Sequence, residues 1–424
     1  MDVVIRKAKL QGTVSVCASK SEAHRLLICA FLSFTKTRVI LGGGTMSEDI
    51  HATANCLTAM GAEVRMEENA ILVDSAGCAG GLSSRIVLDC GESGSTLRFL
   101  LPIAAALGGE FLFTGRGRLP ERPNRPLLEA MAAGGALFDR EDGLPLLVRG
   151  KLKPGRYEIP GNVSSQYISG LLFALPLLEG DSTIKITGKI ESLPYIYITL
   201  DALERFGITA SLRIETKGED GVPVGGEIFV PGGRRFRSPG EVKVNGDWSN
   251  GAFWLCANAI GENRIDCTNL EMPTAQGDAK ITEIIDAICG AEEGTEVVIN
   301  ASQTPDLVPV TAVLACLRLG RTVICGAERL RIKESDRIKT TAALINTLGG
   351  CAEEREDGLC ITGSGTLRGG TVDSCGDHRI AMSAAVAASL CTEPVVIKNA
   401  QAANKSYPDF FEEYERLGGV IERS

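Results

Sequence analysis

Six long stretches of small apolar residues each follow a short polar segment rich in Ser, Gly, Asp or Asn. Stretches this apolar predict helices buried on all sides, and the polar segments predict their N-caps. The segments are SKSEAHRLLICAFL from Ser19, GESGSTLRFLLPIAAAL from Gly91, GNVSSQYISGLLFALPLL from Gly161, GDWSNGAFWLCANAI from Gly246, TPDLVPVTAVLACL from Thr304 and GDHRIAMSAAVAASL from Gly376. They recur about every 70 residues, except for intervals of about 85 and about 60 on either side of the fourth, which indicates an internal repeat.

Between the buried helices lie short β-branched or alternating runs bounded by Gly, such as VRMEENAILV, STIKITG and RTVICG, which predict strands. A second helix in each repeat is indicated by segments such as EDIHATANCLTAMG and IKTTAALINTLGG, which end in a Gly suited to a C-cap. The predicted fold is therefore of the α/β (α+β) class, with buried helices inside and sheets outside.

The chain has 424 residues, whereas single hydrophobic cores stop growing at roughly 250–300, so two domains of about 200 residues are expected. Residues 216–240 are rich in Gly, Pro and charge, and they coincide with the longest interval of the repeat. The domain break is predicted there. The first residues, MDVVIRKAKLQGTVSVCA, have the pattern of a strand pair that could belong to either domain.

Composition narrows the classes of function. A net charge of −9 and a pI near 5.2 argue against a general nucleic-acid or membrane-surface binder. The 14 cysteines include no C-x-x-C and suit a reducing cytosol, and the three histidines, far apart in sequence, make a His-rich metal site unexpected. No run of 18 apolar residues occurs, so the expectation is a soluble cytoplasmic protein without a membrane partner.

Basic residues recur in or near the predicted helix caps, where free N–H groups favour anions. Any single cap has an ordinary structural explanation, because Ser, Asp and Gly commonly begin helices. The accompanying cations change the interpretation, because in an acidic protein they suit one or two small ligands that carry phosphate and carboxylate groups. These cations are Lys20, Arg25, Arg98 and Arg379 at caps, and Arg122, Lys333, Arg337 and Lys405 in polar loops or near the C-terminus.

Nine segments in sequence order resemble the 5-enolpyruvylshikimate-3-phosphate synthase family of enolpyruvyl transferases. They are SKSEAHR, CGESGSTLR, RLPERP, GNVSSQY, LPYI, PDL, IKESDR, GDHRIAM and NKSYPDFF, and together they cover the whole chain. The resemblance implies two domains of three βαβαββ units each, an inside-out α/β barrel with parallel buried helices. It also implies a crossover, so that residues 1–18 join 232–424 in a lower domain, while 19–231 form an upper domain and the active site lies in the cleft between the domains.

The implied reaction transfers the enolpyruvyl group of phosphoenolpyruvate to the 5-hydroxyl of shikimate 3-phosphate and releases phosphate, a step of aromatic amino acid (chorismate) biosynthesis. The resemblance implies addition and elimination through a tetrahedral intermediate, without metal or organic cofactor. The expected partners are the two small substrates alone, no nucleic acid, and the expected oligomeric state is a monomer.

The resemblance also implies roles for individual residues. Positions matched to the shikimate 3-phosphate site are Lys20, Ser21, Arg25, Ser164, Ser165, Gln166, Ser192, Tyr195, Asp306 and Lys333. Positions matched to the phosphoenolpyruvate site are Lys20, Gly94, Arg98, Arg122, Gln166, Arg337, His378, Arg379 and Lys405. The catalytic positions are Asp306, near the attacking hydroxyl, Glu334, the proton carrier at the methylene carbon, and Lys20, a rival for either task.

Simpler interpretations exist for the two carboxylates. Asp306 follows Pro305 at the start of an apolar helix, where an ordinary N-cap is expected, and Lys333 with Glu334 has the composition of a solvated charged turn. Functional roles are favoured for these residues because the whole set of nine family-like segments is present together in this chain.

The chain departs from the usual family pattern before its second buried helix. Glu92 stands where Asn is usual, Ser95 where Thr is usual, and Phe99 where part of the family has Pro. A carboxylate at Glu92 would repel a doubly charged ligand unless it is paired or turned away, which affects the expected affinity for phosphoenolpyruvate and for its analogue glyphosate.

Two other functions compete with this one. The enolpyruvyl transferase that acts on UDP-N-acetylglucosamine shares the fold but uses a loop Cys shortly before an Arg-Pro, and the corresponding TGRGRLPERP contains no Cys. A non-catalytic anion-binding scaffold is the second alternative. The presence of Asp306 together with Glu334 argues against it, because a mere binder needs no paired carboxylates.

Overall fold

The computed structural model describes residues 1–42, 44–80 and 85–423. Positions 43, 81–84 and 424 fall within the predicted domain ranges but lie outside the described residues. The chain divides into two compact units. We call Ala18–Gly43 with Glu48–Asn245 the N-half unit, and Met1–Cys17 with Gly44–Ser47 and Gly246–Ser424 the C-half unit.

The strands and helices alternate along the chain. The strands are β1 Val3–Arg6, β2 Gln11–Ser15, β3 Lys36–Ile40, β4 Glu63–Glu67, β5 Ala70–Asp74, β6 Ile86–Asp89, β7 Phe111–Thr114, β8 Ala136–Phe138, β9 Leu146–Gly150, β10 Arg156–Pro160, β11 Ser182–Lys189, β12 Ser211–Lys217, β13 Pro223–Val230, β14 Glu241–Lys243, β15 Arg264–Thr268, β16 Glu296–Asn300, β17 Gly320–Cys325, β18 Cys351–Arg355, β19 Gly358–Gly363, β20 Gly370–Asp373, β21 Val395–Lys398 and β22 Val420–Arg423. The α-helices are α1 Lys20–Leu32, α2 Glu48–Ala59, α3 Gly94–Leu107, α4 Arg125–Ala133, α5 Ser165–Ala174, α6 Leu193–Arg205, α7 Trp248–Ala259, α8 Ile281–Cys289, α9 Val308–Ala315, α10 Arg337–Thr347, α11 His378–Ala387 and α12 Phe410–Arg416.

One sheet pattern repeats in both units. The N-half unit contains four-stranded sheets of order β14-β3-β5-β4, β6-β7-β9-β8 and β10-β11-β13-β12. In each sheet the first pair of strands is parallel and the other two pairs are antiparallel. The C-half unit repeats this pattern in β16-β17-β19-β18 and β20-β21-β1-β22, and adds the parallel pair β15-β2. A parallel pair needs a crossover connection, which α3 supplies between β6 and β7. The prediction of repeated sheet-and-helix units is confirmed.

The position of the division differs from the predicted one. Residues 232–245 lie in the N-half unit, because β14 completes its first sheet by pairing in parallel with β3. Residues 1–17 lie in the C-half unit, since β1 pairs with β21 and β22. Residues 44–47 also belong to that unit, and no signal in the sequence predicts this short excursion.

The six apolar stretches form α1, α3, α5, α7, α9 and α11, and nearly every residue of these helices is buried. Side-chain caps begin five of them: Ser19, Ser93, Ser164, Asp247 and Asp377. The sixth, α9, begins after a 3-10 turn, Pro305–Leu307. Pro102 lies inside α3, while Pro176 falls in a 3-10 turn after α5 has ended. None of the helices in the described chain is long and apolar enough to span a bilayer.

Close packing of α3 against α5 depends on one glycine. A Cβ placed on Gly170 of α5 would lie 2.2 Å from the Arg98 carbonyl oxygen and 3.1 Å from Pro102 Cγ, both in α3. The obstacle is mainly backbone, so a side chain at this position requires the two helices to separate.

Gly170→Ala is expected to lower the free energy of unfolding by about 2 kcal/mol, the usual cost of overpacking a core, even though Ala favours a helix. The control is Gly155→Ala, where an added Cβ meets nothing within 4 Å. That variant should stay within about 0.5 kcal/mol of wild type in chemical denaturation. Equal stability of the two variants would contradict the packing argument.

Candidate functional site

Lys20 is the first residue of α1, directly after the Ser19 cap. Its ammonium forms an ion pair with Asp49 of α2 at 2.9 Å, and both side chains are mostly buried. Ser21 contributes its backbone carbonyl, which accepts from Arg25 Nη1 at 2.6 Å. The N-terminal turn of α1 therefore brings two of the predicted cationic residues, Lys20 and Arg25, together with Ser21.

Arg25 is buried, and the partners found for its guanidinium are neutral oxygens. It donates to the hydroxyls of Thr199 (2.8 Å) and Ser169 (3.3 Å) and to the backbone carbonyl of Tyr195 (3.1 Å). Its guanidinium also lies over the ring of Phe99, 4.9 Å from the centroid. Burial lowers the pKa of Arg25 to about 10, so the group stays charged at neutral pH. A buried cation held by neutral acceptors retains a strong attraction for an anion.

Arg98, in α3, and Gln166, in α5, hold each other. Arg98 Nη1 donates to Gln166 Oε1 at 2.8 Å, and Gln166 Nε2 donates to the hydroxyl of Ser95 at 2.9 Å. Arg98 also donates to Asn124 Oδ1 and to the Pro123 carbonyl, at 3.0 and 2.9 Å. The N-terminal turns of α3 and α5 are thus joined by polar side chains.

Arg122 lies directly against Gly94, the first residue of α3. A Cβ on Gly94 would fall 2.7 Å from Arg122 Nη1, so no other residue fits without moving the guanidinium. Arg122 is buried, and within the described chain its Nε has no hydrogen-bond partner and the side chain forms no ion pair. A buried guanidinium with an unsatisfied donor at a helix N-terminus is suited to bind an anion, because its charge and its free N–H both attract one.

The remaining predicted residues of the N-half unit lie at helix starts. Ser164 caps α5 and accepts from the Gln166 backbone N–H at 3.3 Å, and Ser165 is buried at the first position of the helix. Ser192 precedes α6 in a left-handed conformation, with φ of 53°. Tyr195 lies in the first turn of α6, half-buried. We call Lys20, Arg25, Gly94, Arg98, Arg122 and Gln166 the N-half cluster.

Glu92, the departure noted in the sequence, packs against the loop after β7. A Cβ on Gly117 would lie 2.5 Å from the Glu92 carboxyl carbon, and Gly117 has φ of +59°. Glycine at position 117 therefore allows a left-handed turn and also leaves open the space that the Glu92 carboxylate occupies. The carboxylate is directed at this loop, which carries Arg116 and Arg118 on either side of Gly117.

Arg337, at the start of α10, is the centre of the C-half unit's polar residues. Its side chain is 1% exposed and donates to Asp377 Oδ2 (2.8 Å), Asp306 Oδ1 (2.8 Å) and Glu334 Oε2 (2.7 Å). Burial lowers the pKa of Arg337, but Asp377, Glu334 and Asp306 raise it more, so the pKa lies well above its usual value. The three carboxylates come from three separate segments, so this one residue fixes their relative positions.

Asp306 lies in the 3-10 turn before α9, where its carboxylate faces three cations. Besides Arg337, it meets Arg379 Nη2 at 3.3 Å and Lys333 Nζ at 3.9 Å. Burial raises the pKa of Asp306, but Arg379, Lys333 and Arg337 lower it more, and the pKa lies well below its usual value. The carboxylate is therefore ionised at neutral pH, and it is 18% exposed.

Lys333 and Glu334 precede α10 and lie beside Asp306 and Arg337. Burial lowers the pKa of Lys333 to about 8, although Asp306 opposes this shift. A lysine with a pKa near 8 can both give and take a proton near neutral pH. Lys333 and Glu334 therefore are not a solvated charged turn.

The remaining predicted residues of the C-half unit lie around the start of α11. Arg379 donates to the Ser249 hydroxyl at 2.9 Å, and buried His378 places Nδ1 3.8 Å from Asp377 Oδ1. Lys405 donates to the Gly376 carbonyl at 2.9 Å. We call Asp306, Lys333, Glu334, Arg337, His378, Arg379 and Lys405 the C-half cluster.

Sequence reasoning missed several residues that hold these clusters. Asp377 has 0% exposure, accepts from Arg337 and Ser335, and caps α11 through the Arg379 N–H. Asp49 pairs with Lys20, and Asn124 orients Arg98. Asp377 had a sequence signal, since it begins a buried helix next to His378 and Arg379. Asp49 and Asn124 had none. Across the described ranges, no group of three or more His, Cys, Asp or Glu side chains is suited to hold a metal ion.

Comparison with known proteins identifies relatives over the full length. A family model described as EPSP synthase (3-phosphoshikimate 1-carboxyvinyltransferase) matches residues 4–414. The chain is 42% identical to the 3-phosphoshikimate 1-carboxyvinyltransferase of Clostridium kluyveri, with 99% of this chain and 98% of that protein covered. It is 40% identical to the corresponding protein of Clostridium perfringens, with 99% of each covered. The solved structure of an EPSP synthase from Acinetobacter baumannii superposes with a TM-score of 0.78 over all of both chains, at 24% identity.

Asp377→Ala is expected to lower the free energy of unfolding by about 3 kcal/mol or more, because it removes the carboxylate that is buried with the Arg337 guanidinium. Asp336→Ala is the matched control. Asp336 caps α10 as Asp377 caps α11, but it lies half-exposed, and its loss should cost about 1 kcal/mol. Denaturation curves that give equal losses for the two variants would show that the buried charge pair adds nothing beyond a helix cap.

Proposed function

This chain belongs to the EPSP synthase family, whose reaction transfers the enolpyruvyl group of phosphoenolpyruvate to shikimate 3-phosphate, and we propose that it does so by addition and elimination through a tetrahedral intermediate. In the addition, the 5-hydroxyl loses its proton as its oxygen bonds to C2 of phosphoenolpyruvate, and the methylene carbon takes up a proton as the carbon–carbon double bond becomes a single bond. In the elimination, the C2–O bond to phosphate breaks and the methyl group loses a proton, which restores the double bond.

The two substrates carry several negative charges, and the buried Arg122 against Gly94 is the observation that carries the assignment of an anion site. Its unsatisfied donor lies at the N-terminus of α3, where the helix dipole adds to its charge. We assign Arg122, with Arg98 and Gln166 beside it, to phosphoenolpyruvate. The contact with Gly94 explains why a side chain there would exclude Arg122 from this position.

Arg25 and the starts of α5 and α6 are assigned to shikimate 3-phosphate. Arg25 keeps its charge, and the acceptors found for it are neutral, so an anionic group of the substrate gains a full charge pair. The Ser164 and Ser165 hydroxyls offer hydrogen bonds at the α5 N-terminus, and Ser21, Ser192 and Tyr195 complete the assignment. Lys20, beside Arg25 at the start of α1, is assigned to both substrates.

Asp306 and Glu334 are assigned as the proton-transfer groups. The ionised Asp306 is suited to accept the proton or hydrogen bond of the attacking hydroxyl, while Glu334 delivers a proton to the methylene carbon. Arg337 holds both carboxylates through different nitrogens, which keeps them apart and in fixed orientation. The same cations that lower the pKa of Asp306 also weaken it as a base, so Lys333, with a pKa of about 8, and Lys20 are the alternatives for proton removal.

We assign Arg337, His378, Arg379 and Lys405 to phosphoenolpyruvate, and Lys333 to shikimate 3-phosphate. A cytoplasmic location and a monomeric state stay predictions.

Phosphate release from phosphoenolpyruvate tests the reaction directly. Release is expected with shikimate 3-phosphate as the acceptor and not with UDP-N-acetylglucosamine. Release with neither, from folded protein that still binds shikimate 3-phosphate in calorimetry, would favour a non-catalytic scaffold. In that case the first residue to revert to Asn is Glu92.

Asp306→Asn and Glu334→Gln should each lower kcat by about 10²-fold or more, because a positioned proton-transfer group typically contributes 10²–10⁴-fold. Both should keep the dissociation constant for shikimate 3-phosphate within about threefold, since the attraction of its main cations is unchanged. Steady-state kinetics and calorimetry measure the two effects.

Glu354→Gln is the control for this pair of variants, because it also removes a carboxylate that faces an arginine of the same unit, in this case the half-exposed Arg331. Wild-type turnover is expected for it. Full activity in Asp306→Asn or Glu334→Gln would remove the assigned role from that residue.

A further inference from the structure

A chain of buried hydrogen bonds joins α1, α2 and α3 in the N-half unit. His24 Nδ1 lies 2.7 Å from the Thr53 hydroxyl, which lies 2.7 Å from the Thr96 hydroxyl. The Thr96 hydroxyl donates to Ser93 Oγ at 2.8 Å. All four side chains are at most 1% exposed, so the chain is shielded from solvent.

The Ser93 end of this hydrogen-bond chain determines which groups donate along it. Ser93 Oγ accepts twice, from the Thr96 hydroxyl and from the Thr96 backbone N–H at 3.2 Å. The Thr96 oxygen therefore accepts from Thr53, and the Thr53 oxygen accepts from His24. This order requires the tautomer of His24 that carries its proton on Nδ1.

The other ring nitrogen of His24 supports the same tautomer. Nε2 has no hydrogen-bond partner within the described residues, and a proton there would be a buried donor without an acceptor. Burial, followed by the nearby Lys20 and Arg25, lowers the pKa of His24 well below its usual value. The imidazole is therefore neutral and serves as a hydrogen-bond donor rather than as a charge.

This hydrogen-bond chain begins and ends next to groups that the proposed function assigns to substrates. His24 directly precedes Arg25, and Ser93 directly precedes Gly94, the residue that lies against Arg122. Phe99 of α3 adds a contact to α1. Its ring forms a T-shaped pair with His24, with centroids 6.4 Å apart, and its centroid lies 4.9 Å from the Arg25 guanidinium. The start of α3 is thus fixed from α1 through groups that are themselves buried.

We propose that His24, Thr53 and Thr96 are positioning residues that orient the Ser93 cap and hence the phosphoenolpyruvate-binding turn of α3. This inference rests on the proposed function of Gly94 and Arg122. The three residues touch no substrate and act only by holding the turn in place.

Thr53→Val tests the inference, because valine has the shape of threonine but neither accepts from His24 nor donates to Thr96. The KM for phosphoenolpyruvate is expected to rise about tenfold, because two buried hydrogen bonds are broken, while the KM for shikimate 3-phosphate should stay within about twofold. Thr53→Ser, which keeps the hydroxyl, should restore the wild-type KM. Thr58→Val is the control, since Thr58 lies on the same helix, is exposed, and donates its hydroxyl to the Ala54 carbonyl one turn away.

A measurement on the wild-type protein keeps the inference testable even if Thr53→Val does not fold. The chain has three histidines, so nitrogen NMR of protein labelled at histidine resolves His24 by the signal that His24→Gln lacks. A neutral ring with the proton on Nδ1 is expected between pH 6 and 8.

Three results would overturn the inference: a proton on Nε2 of His24, equal KM values for phosphoenolpyruvate in Thr53→Val and Thr53→Ser, or an equal rise in both KM values. Each of these is separable from failure of the proposed function, which would appear as absent turnover in the wild type.

Discussion

The buried Arg337 guanidinium is the interaction on which the C-half cluster depends. Burying an arginine is favourable only when its charge and donors are matched, and here Asp306, Glu334 and Asp377 match them from three different segments. The match works in both directions, since each carboxylate also needs the cation. The turn before α9, the segment before α10 and the cap of α11 therefore hold a common geometry, and a group that moves in one of them leaves a buried charge uncompensated.

The N-half cluster solves the same packing problem with different chemistry. Its helices begin with hydroxyl caps, Ser19, Ser93 and Ser164. Arg25 donates to two hydroxyls and two backbone carbonyls rather than to carboxylates. Neutral acceptors fix a cation in place without cancelling its charge. One repeated scaffold thus supports two polar settings: neutral acceptors that leave Arg25 its charge for an anion, and carboxylates that balance Arg337 and are suited to proton transfer.

Much of this organisation was predictable from sequence, because it is encoded locally. An apolar stretch after a polar cap specifies a buried helix whatever its neighbours are, and five of the six caps are Ser or Asp as the pattern predicts. Partners that come from distant segments were not predictable. Asp49 lies 29 residues from Lys20, and Asn124 lies 26 residues from Arg98, in segments with no distinctive pattern. The boundary near residue 245 was missed for the same reason, since only the pairing of β14 with β3 defines it.

Glu92 shows how a departure from a family pattern is accommodated by a second residue. Its carboxylate occupies the space that a side chain at position 117 would need, and Gly117 is also required there by its positive φ. Sequence alone indicates only that an acidic group stands two residues before Gly94, where it would repel an anionic ligand. The Glu92 carboxylate is directed at the loop between Arg116 and Arg118. The repulsion between this carboxylate and an anionic ligand therefore depends on the loop as well as on the ligand. Glu92 and Gly117 therefore depend on each other, and a substitution at either position changes the surroundings of the other residue.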